Sequence, residues 1–342
     1  MEAGSSYLRC AGAEMSKPIK QRGSISVVIP AYGHAAYIGQ TLESLLRQTR
    51  PADQILVIND GSPDDTAGAV HPYLDKITYI EQENRGLVQT LNRGLALCSG
   101  DYVCTIGSDD WLAPHALEAT GAILDRYPEV GLVHGGVTIV DTAGRPHLEL
   151  APQPYPKGLY RDVSTLFRHN YIVPPAALCR RAALNDAGPF LDHPYTQDWA
   201  MWLSIPLHGW ALYGLDEKVA FYRRHGNNLS DAKNFPAAHA DERRMLSAMA
   251  QRYLDKLAAQ GKGSIDGDGR RLLRMLGWRS LARGDRRTAR RAFGRVVIAA
   301  LDVPSVPGLV FAFLPSRVYA DMRQVYLRFP AVNKVGRRVV RH

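Results

Sequence analysis

The segment VCTIGSDDWLAP, residues 103–114, runs an apolar stretch straight into two adjacent carboxylates, Asp109 and Asp110. Like charges side by side repel and add nothing to folding at the end of a strand, so the pair points to a bound cation. Hard divalent ions such as Mg2+ or Mn2+ take oxygen ligands, keep one or two carboxylates and complete their shell from phosphate oxygens. Three more polar clusters follow other apolar runs: PAY at 30–32, NDGS at 59–62 and ENRG at 83–86. Each alone reads equally as a turn, because Asn, Asp, Gly and Ser favour turns. GSDDW also reads as a solvated turn with a helix-capping aspartate. Asp198 in YTQDWAMWL stands at a helix start, where a carboxylate caps the helix. His225 in FYRRHGNNLS closes an apolar run, where a lone histidine is ordinarily structural.

The elements that must position these groups alternate at short spacing. ISVVIPAY is a β-branched run too short for a helix and apolar on both faces, which predicts a central buried strand. YIGQTLESLLRQT places Ile38, Leu42, Leu45 and Leu46 on one helical face. DQILVIND, ITYIEQ and DYVCTIG predict three further strands, with helices over SPDDTAGAVHPYL, LVQTLNRGLALC and HALEATGAILDRY. In the first of these helices Ser62 is the expected N-cap and Pro63 the first helical residue. Beyond 130 a strand with a turned-back partner over 131–150 makes the sheet mixed. Helices are expected over LYRDVSTLF and DWAMWLSIPLHG and a strand over KVAFYRRH. The four polar clusters then fall at the carboxyl ends of strands, where open α/β sheets bind ligands. The fold class is α/β: a Rossmann-like mixed sheet with a C-terminal helical, basic extension.

The chain has 342 residues, 46% hydrophobic and 22% charged, enough for one large core. Residues 1–24 lack an apolar h-region and are expected to be a disordered leader. The most apolar late stretch, 296–314, is broken by Asp302, Pro304 and Pro307, which argues against a spanning helix. Cys10, Cys98, Cys104 and Cys179 form no C-x-x-C pair, so neither a zinc site nor a disulfide framework is expected. Residues 270–342 hold 17 Lys and Arg against 3 Asp and Glu (+14), leaving 25 against 30 (−5) in the rest. Such asymmetry marks a segment that meets a polyanion.

SVVIPAYGHAAYIGQTLESLLRQT, ILVINDGSPDDT and ENRGLVQTLNRGLALCSGDYVCTIGSDDWLAP, in that order and spacing, resemble the nucleotide-binding half of family 2 glycosyltransferases of GT-A fold. The resemblance covers residues 25–230, leaving 231–342 as a helical basic region. It implies that Pro30, Ala31 and Tyr32 line a base pocket, that Asp60 accepts a hydrogen bond from a uracil-type base, and that Asn84 and Gly86 join the nucleotide-sugar site. It implies Ser108 and Asp109 at the ribose or sugar, Asp110 and His225 on Mn2+ or Mg2+, and Asp198 as the base that deprotonates the acceptor. Arg223 is implied as a phosphate or packing partner. Two positions depart from the pattern: Ser108 replaces an aspartate often found there, and Gln197 replaces the first acid before Asp198.

The function implied is inverting transfer of a sugar from a nucleoside diphosphate sugar, UDP-linked by expectation, to a glycan or lipid-linked acceptor in cell-surface polysaccharide synthesis. Sugar choice is expected to depend on 169–178. A hydrolase needs two carboxylates flanking one bond, and nothing in the sequence pairs with Asp198. The alternative is a catalytically weakened nucleotide-sugar-binding protein acting through its basic tail, which Ser108 and Gln197 would suit. In the tail, arginines alternate with Leu272, Leu273, Leu276, Phe293, Val296 and Val297 at helical spacing. That suits an amphipathic helix on an anionic membrane at least as well as a nucleic-acid groove, and a solvated helix packed back on the domain is the plainer alternative. The expected location is cytoplasmic and peripheral, at the inner face of the cytoplasmic membrane.

Overall fold

In a computed structural model of the chain, the run at 25–31 becomes β1 (Ile25–Ala31), with Ile25, Val27, Val28 and Ile29 wholly buried. Val28 enters one core, Val27 and Ile29 another on the opposite face, as the two-residue period of a strand dictates. The structure describes residues 22–147, 154–163, 165–167, 169–226, 228–259, 267–282, 285–300 and Ala312. β2 (Gln54–Asp60), β3 (Thr78–Gln82) and β4 (Tyr102–Thr105) lie parallel to β1 in the order β3-β2-β1-β4. α1 (Ile38–Leu46), α2 (Thr66–Val70) and α3 (Leu87–Leu97) connect or follow them.

Beyond β4 the sheet becomes mixed, as expected. β5 (Trp111–Leu112) and α4 (Ala116–Arg126) lead to β6 (Val130–Val140) and the short β7 (Gly158–Tyr160). β8 (Ala177–Arg180) then inserts antiparallel between β4 and β6. After α5 (Arg181–Ala187) and α6 (Gln197–Leu207), β9 (Ala211–Arg223) pairs parallel to β6, with β5 and β7 antiparallel to it. Following the directions through these pairings, the amino end of β8 and the carboxyl ends of β6 and β9 reach the edge at which β1, β2, β3 and β4 terminate. One edge therefore collects loops from seven strands.

Several expectations are corrected. Leu46 is 37% exposed, since it lies at the border of the stripe formed by Ile38, Leu42 and Leu45. The N-cap of α2 is Asp65, which accepts from Gly68 N at 3.1 Å, and not Ser62, whose hydroxyl is bonded by Gly33 N. LYRDVSTLF holds no helix among its described residues: its start is β7 and 165–167 are a turn. The partner expected to turn back from β6 is a single bridge, Val140 to Pro146, with 148–153 outside the described residues. The end of the expected leader is tied down: Gly23 N donates to Asp125 and Ser24 N to Asp101, both at 2.9 Å. Residues 1–21 lie outside the described set.

The region after 230 shares a core with the sheet. Met245, Leu246 and Met249 of α7 (Phe235–Ala259), Leu272, Leu273 and Leu276 of α8 (Gly267–Ala282), and Ala292 and Val296 of α9 (Arg286–Ala300) join the cluster that holds Trp199, Trp202 and Leu203. Phe293 is wholly buried beside Trp278, Leu281 and Ala312. Five of the side chains expected to insert into a membrane are thus buried within the protein, because neighbouring helices and the core they share with the sheet offer the same apolar contact intramolecularly. The side chain of Val297 and, apart from Ala312, residues 301–342 lie outside the described set. No described helix is long and apolar enough to cross a membrane. Cys98, Cys104 and Cys179 are buried free thiols, as small apolar residues would be.

Candidate functional site

β1 ends on Pro30 and buried Ala31, and the loop after it opens with Tyr32, which is 51% exposed. It is laced to the loop after β2: Gly33 N donates to Ser62 Oγ at 3.1 Å, His34 N to Thr66 Oγ1 at 3.2 Å and Ala35 N to Asp64 at 2.9 Å. This lacing aims the His34 ring at the loop after β4, where its Nδ1 lies 2.8 Å from Ser108 Oγ.

Asp60 is buried and organises the next loop. Its Oδ1 accepts from Gln82 Nε2 at 2.7 Å and Arg85 N at 2.8 Å, and its Oδ2 from Gly86 N at 2.9 Å, a donor shared with Asn84 Oδ1. The carboxylate therefore holds ENRG at the start of α3. Gly61, at φ +67°, lets these loops approach, since a Cβ there would lie 2.7 Å from Asn84 N.

The two aspartates of SDD divide their roles differently from expectation. Asp109 Oδ2 meets His225 Nε2 at 3.1 Å, while Asp109 Oδ1 lies 3.9 Å from His34 Nδ1. Asp110 turns inward, and its Oδ1 accepts Arg223 N at 2.9 Å. Burial, then the neighbouring Asp109 charge, pushes the Asp110 carboxyl well above the usual carboxylate range. The carboxylate that groups with His34 and His225 is Asp109, while Asp110 is engaged by the backbone of Arg223. Thr41 Oγ1 fixes the turn through the carbonyls of Ser108 and Asp110.

His34, Asp109 and His225 offer ligand atoms within 4.8 Å of one another, the one such group among the described residues. Burial lowers the His34 pKa, which favours the neutral imidazole that can ligate. Two imidazole nitrogens and a carboxylate oxygen fit a divalent cation, and the mixed donors suit Mn2+ better than Mg2+, which prefers oxygen alone. His225 is held by Asn228, whose Oδ1 accepts His225 N at 2.8 Å, and by stacking on Tyr37 at 5.4 Å.

Arg223 packs rather than facing an open phosphate site. Its guanidinium lies over Tyr37 and Trp111 and donates to the carbonyls of Asp109 and Thr142 and to Gln40 Oε1. Sequence reading missed His34, although PAYGH already places it two residues beyond Tyr32 at a strand end.

Asp198 occupies the first turn of α6. Its Oδ1 accepts Trp199 N at 2.7 Å and its Oδ2 accepts Asn170 Nδ2 at 3.0 Å; neither partner belongs to the His34–Asp109–His225 group. Burial pushes its carboxyl up to about 6, against the opposing effect of those two bonds. The segment carrying Asn170 runs into β8 at the shared edge and is fixed by buried indoles: Trp199 Nε1 donates to Leu166 O and Trp202 Nε1 to Ile172 O. Gln197 has its own structural task. With its amide nitrogen toward the carbonyls it faces, it donates to Pro194 O at 2.8 Å and His193 O at 3.1 Å, which a carboxylate could not do.

Residues 26–188 match the model of Glycosyl transferase family 2. An uncharacterized glycosyltransferase of Rickettsia felis is 28% identical over 205 residues, covering 54% of this chain and 32% of the relative. Across this and four other rickettsial relatives, the chain spans between 27% and 58% of their length. The structure of S. aureus TarS 1-349 in complex with UDP-GlcNAc superposes with a TM-score of 0.57 at 17% identity, covering 88% of this chain and 92% of that one. The mannosyltransferase PcManGT from Pyrobaculum calidifontis, in complex with GDP-Man and Mn2+, gives 0.51 at 19% identity, covering 94% and 90%. The fold is the GT-A type that the sequence implied.

Proposed function

We propose that the chain is an inverting glycosyltransferase that moves a sugar from a nucleoside diphosphate sugar, taken as UDP-linked, to a hydroxyl of a glycan or lipid-linked acceptor in cell-surface polysaccharide synthesis. The observation that carries the reading is Asp198, a carboxylate raised to about 6 by burial, in the first turn of α6, the helix that leads into β9 and so toward His225 and Asp109. A general base works best with a pKa near the working pH, and in-line displacement with inversion needs only one.

In this reading Tyr32 stacks on the base while the ENRG loop held by Asp60 follows the nucleotide. His34, Asp109 and His225 would hold Mn2+, with Mg2+ the weaker fit. When bound, the ion supplies positive charge for the departing diphosphate. Asp198 accepts the acceptor hydroxyl proton on Oδ1 or Oδ2 as that oxygen attacks the anomeric carbon. Asn170 and the Trp199 amide hold the carboxylate in one orientation, so little ordering remains for the reaction itself. The two departures from the family pattern that would suit a binding protein have structural duties, Ser108 beside His34 and Gln197 within its turn, which favours the enzyme.

The acceptor is taken as lipid-linked because α9 exposes Arg287, Arg291 and Arg295 along one face. An anionic cytoplasmic leaflet attracts each such charge by about 1 kcal/mol. The enzyme is then peripheral and cytoplasmic, attached by charge. The test of the central reading is a panel of UDP- and GDP-sugars with Mn2+, followed by NMR of the product. A retained anomeric configuration, or no release of nucleotide from any donor, overturns it.

A further inference from the structure

Thr196 is the N-cap of α6, the position from which a threonine hydroxyl ordinarily bonds its own helix, yet it makes no such bond. Its Oγ1 donates instead to Asp241 Oδ2 at 3.1 Å. Asp241 belongs to α7 and is wholly buried. The same Oδ2 accepts Tyr195 N at 3.1 Å, and Oδ1 is 2.9 Å from His193 Nδ1 and 3.2 Å from Arg244 NH2. A buried carboxylate is costly unless paired and fully hydrogen-bonded. Here three of the four partners lie within residues 193–196, immediately before Gln197 and Asp198. The first turn of α6 is therefore located by a remote helix and not by local capping, and the Gln197 amide tightens the same turn from inside.

We infer that Asp241 is a positioning residue for Asp198: by gripping residues 193–196 from α7, it fixes the point and direction from which the Asp198 carboxylate enters the site. This rests on the reading of Asp198 given above. The helices after 230 are then part of the catalytic support. A misplacement of about 1 Å at a reacting group costs on the order of 10²-fold in rate even when its cause is distant. Loosening the turn also admits water to Asp198, whose raised pKa comes from burial. The bonds from Trp199 N and Asn170 oppose that rise, and no charged side chain among the described residues contributes to it.

The experiment uses the full chain with carbon-13-labelled aspartate carboxyls, the Asp198 signal being assigned from Asp198→Asn. UDP release from UDP-GlcNAc, with Mn2+ and water as acceptor, is measured alongside. Asp241→Asn is expected to move the Asp198 titration down toward the ordinary carboxylate range and to slow UDP release by about 10²-fold. UDP affinity should remain that of the parent. Asp198→Asn/Asp241→Asn should be no slower than Asp198→Asn alone, since a residue acting through another adds nothing once that one is gone. A folded Asp241→Asn chain with the parent titration and rate overturns the inference, as does a double variant slower than Asp198→Asn. If Asp241→Asn fails to fold, Thr196→Val, which removes one strand of the grip, decides by the same two measurements. If Asp198→Asn itself releases UDP at the parent rate, the base assignment fails separately, and the titration still decides whether Asp241 holds the carboxylate.

Discussion

The carboxylate of Asp109 and the imidazole of His225 meet at 3.1 Å across 116 residues of chain. Their approach is made by β9, whose last residue, Arg223, donates from its backbone to Asp110 and from its guanidinium to the Asp109 carbonyl. The adjacent acids thereby face different partners, Asp110 the backbone of β9 and Asp109 the His225 ring.

Metal affinity should follow that separation. Asp109→Asn and His225→Ala are expected to weaken Mn2+ binding by at least about 10- to 100-fold, the loss seen even when outer partners of a ligand are removed. Asp110→Asn should leave Mn2+ affinity near the parent value. Titration of free Mn2+ by electron paramagnetic resonance reads both. Loss of the ion in Asp110→Asn with retention in Asp109→Asn would reverse the assignment.

Asp198→Asn should lower kcat by about 10²-fold or more, the usual contribution of a positioned base, with donor affinity unchanged. In the parent, kcat should fall as pH drops through about 6, because the protonated carboxyl cannot accept the acceptor proton. The same raised pKa affects stability. Between the unfolded value, about 3.9, and about 6 the native state binds more protons than the unfolded one, so this residue makes stability decline as pH rises through that window. Asp198→Asn should lack that decline, which denaturant titrations at pH 4 and pH 7 would reveal as a smaller difference than in the parent.

Removing Asp60 takes the acceptor from Arg85 N and one of two acceptors from each of Gln82 Nε2 and Gly86 N. Asp60→Ala should cost about 1–3 kcal/mol in stability and speed amide exchange at Gly86. It should also weaken donor binding, since the ENRG loop loses its anchor. A donor dissociation constant equal to the parent's would place the base pocket elsewhere.

Phe293→Ala should cost about 3–5 kcal/mol, as expected for a buried aromatic and not for one that waits to enter a bilayer. Changing Arg287, Arg291 and Arg295 together to Gln should leave stability nearly unaltered and reduce co-sedimentation with anionic vesicles. Three charges at about 1 kcal/mol each correspond to roughly a hundredfold in affinity. Unchanged vesicle binding removes α9 from the role, and tight, salt-sensitive DNA binding without vesicle binding would assign the arginines to nucleic acid.

What was legible in the sequence is what local periodicity encodes. β1 to β4 and the helices between them follow from unbroken β-branched runs and helical stripes, so Pro30, Asp60, Asn84 and Ser108 could be placed at one edge before any coordinates. The rest depends on contacts that periodicity does not carry. β8 is four residues long and has no alternation to mark it. The sequence shows two adjacent acids but not which turns inward, because the backbone amide of Arg223 decides that. The apolar stripes of α8 and α9 were visible, but a stripe reads the same whether a bilayer or the protein's own core covers it. Asp241 gave no signal, since three of its four partners lie far away in sequence, at 193–196.

The antiparallel insertion of β8 and the late arrival of β9 also bear on synthesis. A ribosome completes β1 to β4 long before it reaches Arg223, and domains form as the chain emerges at about 5–20 residues per second. For the seconds in between, Asp109 and Asp110 stand together without the strand that sorts them or the histidine that faces one of them. The meeting of Asp109 with His225 therefore waits until the chain through β9 has emerged and that strand can take its place between β6 and β5.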